Sequence, residues 1–275
     1  MITEFITSLL TPAPRWSKRM GFVNESIAIE ARAKRCRKAW KPHQQKTKEA
    51  ILDAIKACDQ TRTILVVGSG SCLDIPLIEL AGLFERVILV DIIHPLKAKK
   101  HGFNHVTHIT QDITGQMEAL YHNPKCLPEF YAPNFYHDLS NIDFVLSLNL
   151  ASQLPILPIK YLAQKTSLDE NELNQFARNL IKSHFVWLSG FKCSAALICD
   201  KSWEILDLSG KVIETDDPLY GLIPQENTWE WYWNVAPIHE DGNGFLHRNR
   251  VGYWSNFHFI DSDDLTASPD IKNKR

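Results

Sequence analysis

Thr63-Ile64-Leu65-Val66-Val67-Gly68-Ser69-Gly70-Ser71, with the later run Arg86-Val87-Ile88-Leu89-Val90-Asp91, decides the fold. An unbroken, β-branched apolar run reads as a strand buried on both faces, the signature of a parallel sheet. Gly68 and Gly70 supply a tight turn on which no Cβ intrudes. Leu73, Leu77, Leu80 and Leu83 recur at helical spacing, so a helix is expected over Leu73–Leu83. It would open at the turn and offer its N–H groups to an anionic or carboxylate-bearing ligand. Asp91 ends the second strand 23 residues after Gly68. From there a carboxylate can accept hydrogen bonds from ribose hydroxyls.

Outward from this unit, His105–Ile109 reads as a third strand before Gln111-Asp112. Asp143–Leu148 reads as a fourth strand and Ser194–Cys199 as a fifth. A short helix is expected over Pro95–Lys100, and a longer one over Asp169–His184 capped by Ser167 or Asp169. Strands alternating with helices imply right-handed crossovers and an α/β fold, a Rossmann-like doubly wound and mostly parallel sheet. Tyr121–Ser140, rich in proline and aromatics, reads as an ordered loop. Trp203–Leu208 and Val212–Thr215 flank Ser209-Gly210 as a hairpin, and Trp229–Val235 and Val251–Ile260 read as further strands.

Ahead of the sheet, Asn24 is the expected cap of a helix over Glu25–Trp40. Pro42 should break it before a second helix over His43–Ala57. Between Arg32 and Lys48 lie eight basic residues and no acid. They form either a solvated face or a patch for an anionic substrate or a protein partner. The expected organisation is a helical extension over 1–60, the Rossmann-like domain over 61–260 with its β-rich part from about residue 201, and a disordered tail over 261–275.

Net charge is −2 over 275 residues, which disfavours a general nucleic-acid binder. No apolar run reaches the length of a membrane span. Met1–Leu10 lacks a basic leader region, and the six cysteines show no CxxC spacing. A cytoplasmic protein with free thiols is expected.

The dinucleotide fingerprint G-x-G-x-x-G fails at Leu73. The sequence instead resembles a divergent member of the class I, Rossmann-like S-adenosylmethionine-dependent methyltransferases. The resemblance runs through Ile64–Ser71, Val87–Asp91, Gln111-Asp112 and Asp143–Asn149, within Thr61–Asp200. It implies S-adenosyl-L-methionine as cofactor, with Gly68, Ser69, Gly70 and Ser71 along its methionine and ribose side. Asp91, followed by Ile92, would hold the ribose, Asp112 and Ile113 would meet the adenine, and Asn149 would face the transferred methyl. The usual acid two residues before the first glycine is Val66 here, and the frequent third glycine is Cys72. Asp74 could substitute for that acid by reaching the ligand ammonium, or simply favour a helix start.

Methyl transfer to a small-molecule or glycan-like acceptor is therefore expected. An inactive binding module acting through the basic extension and a nicotinamide-dependent oxidoreductase are the alternatives. His94, three residues beyond Asp91, is a candidate general base beside the singletons His137 and His184. Trp229, Trp231 and Trp233 alternate on one strand face, which either packs under helices or forms a stacking wall. His239, Glu240, Asp241, His247, Arg248 and Arg250 would form a polar rim. No spacing supports a metal site.

Overall fold

The computed structural model describes residues 11–260 except 129, 223, 225, 241 and 243. The readings of 1–10, of the 261–275 tail and of Asp241 lie outside them. The central strand β1 (Thr63–Val67) pairs in parallel with β2 (Arg86–Asp91), and β2 with β3 (Val106–Thr110). On its other side β1 pairs with β4 (Phe144–Leu148), and β4 with β5 (Ser194–Leu206). β6 (Val212–Asp216) folds back on the far end of β5. β7 (Trp229–Ala236) and β8 (Leu246–Trp254) close the sheet as an antiparallel pair, giving the order β3-β2-β1-β4-β5-β8-β7.

Both faces of the sheet are covered. Ile64, Val66, Leu89, Leu146 and Ile198 pack under α3 (Arg37–Ala54) and α4 (Leu77–Leu83). Leu65, Val67, Ile88, Val145 and Leu197 pack under α7 (Glu170–Ser189), whose Ile181, Phe185 and Leu188 are fully buried. Each such side chain contributes roughly 1.5–3 kcal/mol of burial. Asp169 caps α7 through a capping box with Glu172, which settles the choice against Ser167. A third cluster joins α1 (Arg15–Met20) through Trp16 and Met20 to α5 (Met117–His122), α6 (Ile156–Lys165) and α7. Between α1 and α3 runs α2 (Phe22–Arg35).

Several boundaries differ from the sequence reading. α2 starts at Phe22 with Gly21 at its N-cap, so Asn24 lies inside the helix and is not its cap. The break falls at Cys36, and Pro42 sits within α3. Pro42 and Lys38, whose carbonyl loses its helical partner, are both exposed. Solvent can satisfy that carbonyl, while Trp40, His43, Thr47 and Ala50 are buried on the other side and hold the helix through. α4 begins at Leu77 rather than Leu73, because Pro76 disfavours helical backbone at Ile75. Pro95–Lys100 forms successive turns and no helix. Leu96 is exposed, so a six-residue helix would have no face to bury. β5 runs 13 residues and absorbs the first arm of the hairpin. β8 ends at Trp254, and Phe257 N–H then turns to Ala195 O at 2.7 Å.

Candidate active site

The bend after β1 is held by β2. Gly68 N–H and Ser69 N–H both donate to Val90 O, at 3.0 and 3.3 Å. Gly70 N–H donates to Asp91 Oδ2 at 2.8 Å, and Ile93 N–H to Asp91 Oδ1 at 3.2 Å. Asp91 therefore points at the bend as expected. The amides of Gly68, Ser69 and Gly70, however, face the protein and not a ligand. Among the described residues only Ser71 N–H in this bend has no protein acceptor. α4, with its start at Leu77, presents no helix terminus here. Gly68 has φ +83, and a Cβ on it would overlap Leu148 O, so the turn is tied to β4 as well. Cys72, where a third glycine was expected, adopts φ +56, the left-handed backbone that glycine would take without strain.

Burial raises the Asp91 carboxyl to about 6, against the lowering effect of the amides of Ile93, Gly70 and Ile92. Burial, with the charges of Asp91 and Asp74 adding, pushes the Cys72 thiol up to about 12.

Asp112 is engaged differently from the expected adenine contact. Its Oδ1 accepts from Thr114 N–H and Oγ1, and its Oδ2 from the amides of Gln116 and Met117. Four donors saturate a carboxylate, so Asp112 caps the approach to α5 and leaves Ile113 and Thr114 at the wall. Asn149 sits at φ +49 at the end of β4 and donates through Nδ2 to Asp74 Oδ2 at 3.2 Å. Its Oδ1 is buried without a partner. Asp74 is thus a wall residue facing Asn149 and not a helix cap.

His94 is not at the mouth. It is 4% exposed, beneath the bend, with Nε2 2.9 Å from Ser69 Oγ, and burial lowers it to about 3. A base must reach its substrate proton, and His94 does not line the crevice. His137 meets Trp187 O, and His184 is buried against Ser147 Oγ.

Above the bend opens a continuous cavity of about 670 Å³, within the range of small-molecule sites. One half is lined by Gly68–Ile75, Val90–Ile93 and Gln111–Thr114, so Ser71, Asp91, Ile92 and Ile113 share one wall. The other half is lined by Phe22, Glu25, Ser26 and Ile29 of α2 and by Asp200, Trp203 and Glu204 of β5. The sequence reading missed this second half. Its one available signal was Asp200, an acid ending the buried run Leu197–Cys199, as Asp91 ends β2.

Trp231 and Trp233 pack under α3: Trp233 stacks on His43 at 4.1 Å between centroids, and Trp231 Nε1–H donates to His43 Nδ1 at 3.0 Å. Trp233 also reaches the cavity wall. In the expected rim, Glu240 pairs with Arg35, Arg248 with Glu204, and Arg250 lies 3.7 Å from Glu230; His247 lines the cavity. Of the basic stretch, only Arg32 does so. Among the described residues no helix is long and apolar enough to cross a membrane, and no group of three His, Cys, Asp or Glu residues is placed to hold a metal ion.

No family model and no curated protein matches the sequence. Solved structures do resemble it. The Burkholderia thailandensis 1,6-didemethyltoxoflavin-N1-methyltransferase with bound S-adenosylhomocysteine is 9% identical, covering 84% of this chain and 89% of its own, at TM-score 0.30. A Streptococcus mutans putative methyltransferase with the same ligand is 9% identical, over 75% and 94%, at 0.25. The [4+2]-cyclase SpnF is 10% identical, over 76% and 80%, at 0.32. Likeness at this level concerns the backbone alone. The strand order, with parallel β3-β2-β1-β4-β5 closed by antiparallel β8-β7, is that of a Rossmann-like, mostly parallel doubly wound sheet.

Proposed function

We propose that this protein binds S-adenosylmethionine in the crevice half of the cavity and transfers its methyl group to a small-molecule acceptor in the other half. The observation that carries this reading is the meeting of Asp91, the Gly68–Ser71 bend, Asp74 and Asn149 on one continuous space.

The donor set fits the cofactor. Asp91 would accept from the ribose hydroxyls, since its two oxygens together offer about four lone pairs, more than the backbone amides use. Asp74 would receive an ammonium, and Ser71 N–H a carboxylate. Ile92, Ile113 and Met117 would flank a flat base. When bound, S-adenosylmethionine supplies an electrophilic sulfonium methyl. The chain's own contribution is alignment and exclusion of water, which requires no covalent nucleophile. α2 contributes apolar lining to the cavity through Phe22 and Ile29. A pyrophosphate would lack a helix N-terminus here, because α4 starts seven residues beyond Gly70. That disfavours the nicotinamide alternative.

Calorimetric titration with S-adenosylhomocysteine tests the reading. Saturable heat and a raised melting temperature are expected, and Asp91→Ala should weaken binding by about 1–3 kcal/mol. Folded protein that gives neither heat nor a thermal shift at millimolar ligand would overturn it.

A further inference from the structure

The geometry points to an acceptor that carries a protonated amine on an apolar or aromatic body. Its role as acceptor rests on the methyl-transfer reading; the cation site does not.

The second half of the cavity is rich in carboxylates and poor in cations. Glu25, Asp200, Glu204, Glu214 and Asp216 line it, and the only lysine or arginine among the described lining residues is Arg32. Arg32 is turned toward Glu240, 3.9 Å away. Glu204 is neutralised by Arg248 at 2.6 Å, but no cation among the described residues pairs with Glu25, Glu214, Asp216 or Asp200.

Asp200 is the decisive member. It is 3% exposed, and the donors to its Oδ2 are neutral: Trp203 Nε1–H at 2.9 Å and Ser152 Oγ at 3.3 Å. His43, with a fully buried ring, accepts the Trp231 indole N–H at Nδ1. Its Nε2 has no hydrogen-bond partner and is aimed at Asp74 Oδ2 on the cavity wall, 3.5 Å away. A buried carboxylate without a counter-charge is costly, and a ligand cation supplies what the chain withholds.

The walls between these acids are aromatic. Trp203, Trp233 and Phe22 offer ring surface to a cation and to an apolar body. Low-dielectric walls around like charges also focus the field that draws a cation in. For transfer, the ammonium loses one proton to water at the cavity mouth. Its freed lone pair forms the nitrogen–carbon bond as the carbon–sulfur bond breaks, the electron pair stays on sulfur, and the product leaves as the methylated ammonium.

The test uses the full chain and three isosteric probes: phenethylammonium, 2-phenylethanol and phenylacetate. Each is titrated by calorimetry and tryptophan fluorescence with and without S-adenosylhomocysteine. Phenethylammonium should bind at least tenfold more tightly than either other probe. The doubly substituted Glu214→Gln/Asp216→Asn, altered only on exposed positions of β6, should lose at least fivefold for the ammonium while keeping its S-adenosylhomocysteine affinity within twofold. Asp200→Asn should lose more. Equal binding of the three probes, tightest binding of phenylacetate, or no binding of any probe to protein that binds S-adenosylhomocysteine would overturn the inference and leave the cofactor reading standing. Selective ammonium binding by protein that ignores S-adenosylhomocysteine would do the reverse.

Discussion

Replacing Asp91 with Asn should make the ligand-free protein more stable at neutral pH while removing much of its affinity for the cofactor. Burial raises the Asp91 carboxyl from the ordinary 3.8 to about 6. The folded chain therefore keeps this proton to higher pH than the unfolded chain does. Stability then falls as pH rises from about 4 through 6, and the full penalty is present above that window. A displacement of about two pH units corresponds to roughly 3 kcal/mol at most. Because the carboxylate is partly solvated, about 1–3 kcal/mol is the working range. In a chain of this size that is a melting-temperature gain of roughly 2–8 °C for the neutral amide. Asn can still accept the Gly70 and Ile93 amides through its one oxygen only in part, which sets the lower end. Differential scanning fluorimetry of both proteins between pH 4 and 8 reads the effect directly. The gain should be present at pH 8 and vanish near pH 4, and calorimetry with S-adenosylhomocysteine should show tenfold or more weaker binding. If the Asp91→Asn protein were less stable than the parent at pH 8, or if the stability difference were the same at pH 4, the reasoning would be refuted, because the charge would then carry no folding penalty.

His184, fully buried against Ser147 and lowered to about 3, behaves in the opposite sense. The unfolded chain takes up the proton first, so acidification from pH 6.5 to 4.5 should cost about 2–3 kcal/mol that His184→Gln does not lose, read by denaturant titration at both pH values. The Cys72 thiol, pushed up to about 12, should react with Ellman's reagent at least about 100-fold more slowly at pH 8 than exposed Cys126. Gly68→Ala should cost at least about 3 kcal/mol by urea unfolding, since its Cβ meets Leu148 O and its φ is +83. Asp169→Ala removes the capping box of α7 and should cost about 1 kcal/mol in the same assay.

The crevice half of the candidate site was legible because its signals are local. An apolar run, two glycines and a terminal acid specify β1, the bend and β2 without help from distant residues, and Asp91 meets the bend as read. Where a single neighbour intervened, the reading slipped. Pro76 moved the start of α4, and with it the expected helix terminus. Asp112 looked free in sequence, but the amides two to five residues later consume both its oxygens. Closeness in sequence also misplaced His94, because the chain turns beneath Ser69 directly after β2. The far half of β5 was hidden for another reason. Its burial changes from complete to partial at Lys201, between the end of its pairing with β4 at Ile198 and the start of its pairing with β6 at Trp203, so one strand read as two.

The charge of the cavity shows most clearly what a linear reading leaves out. Eight basic residues between Arg32 and Lys48 left open a solvated face or a patch for an anionic ligand, and a helix decides by sorting its residues by angle. Phe22, Glu25, Ser26, Ile29 and Arg32 recur at i, i+3, i+4, i+7 and i+10, one continuous stripe of α2, and all line the cavity. Lys34, Arg35, Arg37, Lys38 and Lys41 fall outside it and are exposed. The stripe is visible in sequence only if the helix begins at Phe22; a start at Glu25 drops its first aromatic anchor. Its counterparts across the cavity come from β5 and β6, far later in the chain, as His43 and Trp231 come together across 188 residues. The sign of the field a ligand meets is therefore set by which residues the tertiary fold turns inward, and here these are predominantly carboxylates.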